Sequence, residues 1–320
     1  MRFTQLFIGI CFFLTACNNK VPQLKLLEVK ELPSYPSGST VVYKHGRFMV
    51  MGDDAPGLLI LDSAWNIADT INLVPFEGVR VPKKEKPDLE AGTWFKDKNE
   101  EGLLLLGSGS LPPHRGTGWI IHPVDKSKRT FRLDTFYHRL QQAGITELNV
   151  EGLAQLPGWY VLACRGNMNY RKNHLVFVKN RFWNNQADTE FRLSFLGGND
   201  EGRPFTGVSG LDYSYISDQL FLTASTEHTG SVAGDGAIGK SYLWVIRSMN
   251  RMVNYEAVNP FEIIDLEQAD SRFKGAKIES VAIVSENKLQ TELALVADND
   301  NGKTTMYRVI VNHKKVEQPR

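Results

Sequence analysis

The stretch Val150-Glu151-Gly152-Leu153-Ala154-Gln155-Leu156-Pro157-Gly158-Trp159-Tyr160-Val161-Leu162-Ala163 reads as two short strands joined by a Pro-Gly turn. Both runs are apolar and of strand length, and the turn residues supply the backbone conformations that a tight reversal needs. Two further runs, His174–Val178 and Glu190–Phe195, complete a set of four. The same set of four precedes it twice: Ser39–Tyr43, Arg47–Met51, Gly57–Leu61, Ala68–Leu73; then Gly92–Phe95, Leu103–Leu106, Gly118–Ile121, Thr130–Leu133. It follows once more as Val208–Tyr213, Gln219–Thr223, Tyr242–Ile246, Met252–Ala257. A last set has only three runs, Ile278–Val284, Glu292–Ala297 and Thr304–Ile310.

Each first run opens with Glu or Ser beside a small residue: Ser37, Glu90, Glu151, Ser209 and Glu279, spaced by 53, 61, 58 and 70 residues. A four-strand unit recurring at such intervals is the sequence mark of a β-propeller blade. The expected fold is therefore all-β: a β-propeller of five four-stranded blades, with room for a sixth in the long fourth repeat. The incomplete last set predicts that the leading run Leu24–Val29 supplies the missing strand. Closing the ring in this way removes two open sheet edges. The competing architecture is a β-sandwich with irregular spacing. One helix is expected at Thr135–Ala143, capped by Asp134, ended by Gly144 and lying on the outside, with a short helical turn within Pro260–Arg272.

Propeller topology also places chemistry. The start of a blade's first strand and the end of its second meet at one mouth of the central channel. The starts carry Glu90, Glu151, Ser209 and Glu279. The ends carry Asp53-Asp54, Ser108 with Ser110, Arg165 with Asn167, Ser225 with Glu227, and Asp298-Asn299-Asp300. The opposite ends carry ordinary turns such as His45-Gly46 and Pro157-Gly158. Carboxylates around an axis suit a hard cation such as Ca²⁺; the candidate ligands are Glu90, Glu151, Glu279, Asp298 and Asp300. Arg115, Arg165, Asn167, His114 and Glu227 are the candidates for holding a small anionic ligand at the rim. Turn chemistry alone also accounts for Asp53-Asp54 and for Asp298 to Gly302. Turn chemistry does not call for Glu151 and Glu279, and glutamate is a poor strand former. His114 and His228 are acid–base candidates by location only. The glycines between Thr229 and Lys240 imply a loop over one face.

The formal net charge of +1 gives no field for nucleic acid. Of three cysteines, Cys11 and Cys17 lie near the start and Cys164 sits in an apolar run, so no internal disulfide is expected. No HExxH, GxSxG or paired-cysteine metal spacing is present. Arg2, the apolar run Leu6–Leu14 and then Thr15-Ala16-Cys17 have the layout of a secretory signal. Leu14-Thr15-Ala16-Cys17 resembles a bacterial lipobox, which implies cleavage before Cys17 and a lipid on its thiol. The expected organisation is a lipoprotein signal peptide at 1–16, a lipidated tether at 17–23, the propeller at 24–313 and a tail at 314–320. The expected location is the cell envelope, anchored to a bacterial membrane, with the outer membrane favoured.

Glu151-Gly152-Leu153-Ala154, Ser209-Gly210-Leu211-Asp212, Glu279-Ser280-Val281-Ala282 and Ala297-Asp298-Asn299-Asp300 resemble blade motifs of the esterase-like, phytase-like and calcium-dependent lactonase propeller group. The resemblance implies mouth carboxylates that bind Ca²⁺, here Glu151, Glu279, Asp298 and Asp300. Ser37 and Ser209 stand where that group has acids. The chain also resembles bacterial propeller lipoproteins of unknown role. Two functions follow as expectations: a lipid-anchored binding propeller holding a small anionic ligand or partner at its mouth, or a Ca²⁺-dependent hydrolase of phosphoesters, esters or lactones.

Overall fold

The computed structural model describes residues 23–197, 204–227, 238–299 and 302–313. Its five antiparallel sheets are the blades of a five-bladed β-propeller. Blade 1 holds β2 (Gly38–Lys44), β3 (Arg47–Gly52), β4 (Gly57–Leu61) and β5 (Ile67–Asn72). Blade 2 holds β6 (Leu89–Lys96), β7 (Glu101–Gly107), β8 (Thr117–His122) and β9 (Ser127–Arg132). Blade 3 holds β10 (Val150–Leu156), β11 (Trp159–Cys164), β12 (Asn173–Lys179) and β13 (Phe191–Leu196). Blade 4 holds β14 (Thr206–Ser214), β15 (Gln219–Glu227), β16 (Ile238–Arg247) and β18 (Glu262–Asp265). Blade 5 holds β19 (Ile278–Glu286), β20 (Gln290–Asp298) and β21 (Thr304–Asn312), and its outer strand is β1 (Leu24–Leu32). The N-terminal run thus closes the ring, pairing from Leu24↔Val311 to Leu32↔Thr304.

The apolar runs are continuous rather than alternating because each blade is covered on both faces. Leu103 and Leu105 face the core shared with blade 1, while Leu104 and Leu106 face the core shared with blade 3. Tyr160 and Leu162 point one way from β11, and Val161 and Ala163 the other. Five such cores fill the five seams. At ~1.5–3 kcal/mol per buried large apolar side chain, this layering dominates the favourable side of folding. The inner strands β2, β6, β10, β14 and β19 each pack against the next around the channel. Gly210 is required at one seam, because a Cβ there would lie 2.6 Å from Ser280 Cα.

Two sequence expectations need correction. The helix α1 (Asp134–Gln142) does not lie outside: Phe136, Tyr137 and Leu140 are buried in the seam between blades 2 and 3. Tyr137 Oη donates to the Gly107 carbonyl at 2.6 Å. Asp134 does not cap it; both its carboxylate oxygens are taken by Arg132 at 2.7–2.8 Å. Gly144 does end it, at φ +111°, with Gly144 and Ile145 N–H donating to Gln141 and Leu140 carbonyls. In blade 4 the outer strand is β18, not Met252–Ala257. Met249–Met252 forms the short helix α2, and β17 (Ala257–Val258) adds in parallel to β13 of the neighbouring blade. The helical turn expected near 260–272 is present as α3 (Leu266–Ala269). Among the described residues, no helix is long and apolar enough to cross a membrane.

Candidate functional site: the two ends of the channel

Every inner strand breaks register at the same place. The shift follows the first or third pair of the strand and leaves one blade position bulged: Ser39, Glu90, Glu151, Ser209 with Gly210, and Glu279. A bulge re-aims its side chain and is a recurrent device beside functional sites. Opposite these positions, the residues just past the second strand's matching pair are Asp53, Ser108, Arg165, Ser225 and Asp298. The register makes Ser39, rather than Ser37, the blade 1 counterpart of Glu90.

The bulged acids meet different partners. Glu151 accepts from Asn149 Nδ2 at 2.6 Å and faces Arg165 Nη1 at 3.7 Å. Arg165 also donates to Val208 O and Ser225 Oγ of blade 4, so it stitches a seam. Glu279 pairs with Lys277 Nζ at 2.8 Å. Asp298 N–H donates to the Lys277 carbonyl, which sets Asp298 beside Glu279's strand start. Glu90 makes no hydrogen bond or close ion pair among the described residues, and the opposing charge that acts on it is Lys86.

Glu90 instead shares a cluster with Asp53 and Asp88, one carboxylate oxygen from each lying within 4.8 Å of the others. Asp88 was not among the sequence candidates. It holds a left-handed conformation, φ +54°, which aspartate tolerates, two residues before Glu90. Arg115 Nη1 donates to it at 2.7 Å, and Ser108 Oγ donates to the same oxygen. Lys86 Nζ sits between the acids, on Asp53 Oδ2 and 2.8 Å from Asp88 Oδ1. Arg80 Nε binds Asp54 Oδ2 at 2.6 Å. Asp53 Oδ1 and Asp54 Oδ1 are buried without a partner.

Desolvation pushes the Asp53 carboxyl up to about 6; Lys86 opposes this, and Asp88 and Asp54 add to it. Desolvation also raises Glu90 well above the usual carboxylate range, reinforced by the charges of Asp88 and Asp53. For Lys86, burial works to lower the pKa, but Asp53, Asp88 and Glu90 outweigh it and the ammonium is held. Buried Cys164 is pushed up to about 12 by desolvation, next by Glu151, which makes it an inert core thiol.

The remaining sequence candidates fall elsewhere. Arg115 is buried on Asp88, not free at the rim. His114 is exposed and engages none of the mouth residues. Asn167 accepts from Asn169 and Tyr170 N–H and donates to Glu147, the work of a turn former. Glu227 ends β15, and its side chain is outside the described residues, as are Cys17, His228, Asp300, the segment 1–22, most of the glycine-rich loop and the tail 314–320.

The opposite end of the channel, read from sequence as ordinary turns, holds a cavity of about 700 Å³. All five inner strands contribute, through Lys44, Trp94, Leu156, Asp212 and Ile283, and the β14–β15 turn adds Tyr215 and Ile216. Asp212 accepts from Tyr213 and Ile283 N–H, both at 2.8 Å, and burial pushes its carboxyl up to about 6. Loop connections shape this end, and their lengths gave no sign of a cavity.

Five four-stranded blades around a channel with a charged mouth define a five-bladed β-propeller. The chain belongs to a family of unknown function, DUF6929, whose model matches residues 34–311. No curated protein sequence matches it. A solved Myxococcus xanthus glutaminyl cyclase is 11% identical, with a TM-score of 0.49 over 91% of this chain and 97% of that one. A Bacteroides fragilis protein described as a candidate exported protein is 8% identical, TM-score 0.45, covering 91% and 96%. A Bacteroides vulgatus member of the DUF4221 family is 9% identical, TM-score 0.39, covering 92% and 100%. None of these likenesses bears on chemistry.

Proposed function

We propose that the protein is a lipid-anchored binding propeller of the bacterial cell envelope, and that its mouth takes up a hard cation, Ca²⁺ first among them, at Asp53, Asp88 and Glu90. The observation that carries this reading is the cluster itself: one carboxylate oxygen from each of Asp53, Asp88 and Glu90 lies within 4.8 Å of the others, and Asp53 Oδ1 is buried without a partner. An all-oxygen cluster with orphaned buried oxygens at Asp53 and Asp54 fits such an ion. Lys86 is the resident cation. It belongs to the long connection between β5 and β6, so an incoming ion would displace it rather than fill a void. Arg115 and Arg165 are engaged by Asp88 and Glu151, so an anionic ligand would be held through the bound cation rather than by these arginines.

Melting the protein with and without Ca²⁺ tests this. Binding to the native state alone stabilises it by about 2.7 kcal/mol at 100 times Kd. Glu90→Gln should abolish the rise while leaving the fold intact; an unchanged melting temperature in the wild type at millimolar Ca²⁺ removes the cation site. The hydrolase reading is favoured by one feature, that burial pushes the Asp53 carboxyl up to about 6, within reach of acid–base work. A Ca²⁺-dependent turnover of a phosphoester or lactone, lost in Asp53→Asn, would establish it. Lipid on Cys17 is checked by mass spectrometry of the mature chain.

A further inference from the structure

The face opposite the mouth carries large apolar side chains at its turn tips: Val124 (99% exposed), Ile216 (74%), Leu289 (70%) and Tyr215 (60%). Val124 is in the β8–β9 turn, Tyr215 and Ile216 in the β14–β15 turn, and Leu289 in the β19–β20 turn. All three turns lie on one face, because each follows an odd-numbered strand position within its blade. Turn tips ordinarily take Gly, Asn, Asp or Ser. These residues come from blades 2, 4 and 5 and so are distributed around the ring, with Tyr215 and Ile216 beside the channel cavity. Points spread around a ring touch a plane.

The chain also enters at this face. Leu24 pairs with Val311 at the end of β21 that is distant from the mouth, and β1 then runs toward the mouth, where Leu32 meets Thr304. Seven residue steps separate Cys17 from Leu24, at most ~25 Å when extended. A lipid at Cys17 would therefore hold this face, and not the mouth, within reach of the bilayer.

We propose that the face bearing Val124, Tyr215, Ile216 and Leu289 lies on the lipid surface, with these tips in the headgroup region and the acidic mouth turned to water. The proposal rests on the anchoring part of the function above, and its test separates the two. The lipidated protein is prepared with one added cysteine, by Val124→Cys, Ile216→Cys, Leu289→Cys or, on the mouth-side connection of β5 to β6, Val79→Cys (65% exposed). Buried Cys164 does not compete for label, and the unsubstituted chain carried through the same labelling is the blank. Each variant takes an environment-sensitive fluorophore and is reconstituted in phosphatidylethanolamine–phosphatidylglycerol vesicles containing a spin-labelled lipid.

The three tips should be quenched about threefold or more above Val79, as expected for groups ~5–10 Å into the interface. Equal quenching at all four sites, or stronger quenching at Val79, overturns the proposal. Mass spectrometry of the same samples reads the anchor. Acylated protein with unquenched tips refutes the face and keeps the anchor; unacylated protein with quenched tips does the reverse.

Discussion

Asp53 offers a direct reading of the mouth's electrostatics. Its carboxyl moves from an ordinary 3.8 to about 6 in the folded chain. The native state thus holds this proton more tightly than the unfolded state. The associated stability is fully present below pH 3.8 and is lost as pH rises through about 6. A difference of about 2 units corresponds to ~3 kcal/mol in total. Other carboxylates carry pH dependence of the opposite sign, so the quantity to measure is the difference between wild type and Asp53→Asn. Urea unfolding followed by tryptophan fluorescence at pH 4, 5, 6, 7 and 8 supplies it. Whatever fixed cost the variant has from losing Lys86's partner, it should gain roughly 2 kcal/mol relative to wild type between pH 4 and 8. Saturating Ca²⁺ should shrink that gain, because a bound cation stabilises the ionised acid. A difference that stays constant across pH within ~1 kcal/mol, or that slopes the other way, would refute the desolvated cluster.

Gly210→Ala places a methyl 2.6 Å from Ser280 Cα and 2.7 Å from the Glu279 carbonyl, so it should cost ~1–3 kcal/mol. At ~2–4 °C per kcal/mol the fall in Tm is visible by calorimetry. Arg115→Met leaves buried Asp88 with Lys86 and the Ser108 hydroxyl but without its guanidinium partner, and should cost ~1–3 kcal/mol; adding Asp88→Asn should recover part of it in urea melts. Deleting residues 23–32 bares the β21 edge and removes buried Leu24, Leu26 and Leu32, worth ~6 kcal/mol together. That is comparable to a whole domain's stability, so size-exclusion chromatography should show aggregate rather than monomer.

The blades were legible because burial on both faces writes itself as unbroken apolar runs such as Leu103–Leu106, and ring closure was legible because the last set lacked a strand. The outer strand of blade 4 was not. Met249–Met252 is turned into a helix by Asp218, whose carbonyl and carboxylate accept from Met249 and Asn250 N–H across some thirty residues. Local sequence holds no trace of that contact. At the mouth, topology alone brought Glu90, Glu151 and Glu279 to equivalent bulges. It did not reveal which acids are neutralised, since Lys86, Arg115 and Arg165 arrive from connections whose paths depend on tertiary packing. Asp88 was missed for the same reason.

The direction of β1 has a mechanical consequence. The chain upstream of Leu24 leaves at the end of the strand remote from the mouth, so tension on it pulls β1 lengthwise past β21. Their hydrogen bonds are then loaded in parallel, as in a lap joint, rather than opened one after another like a peeled tape. The strand that completes the ring is also the first to bear any tug on the chain before it, and a pull strong enough to free it would open the propeller at blade 5.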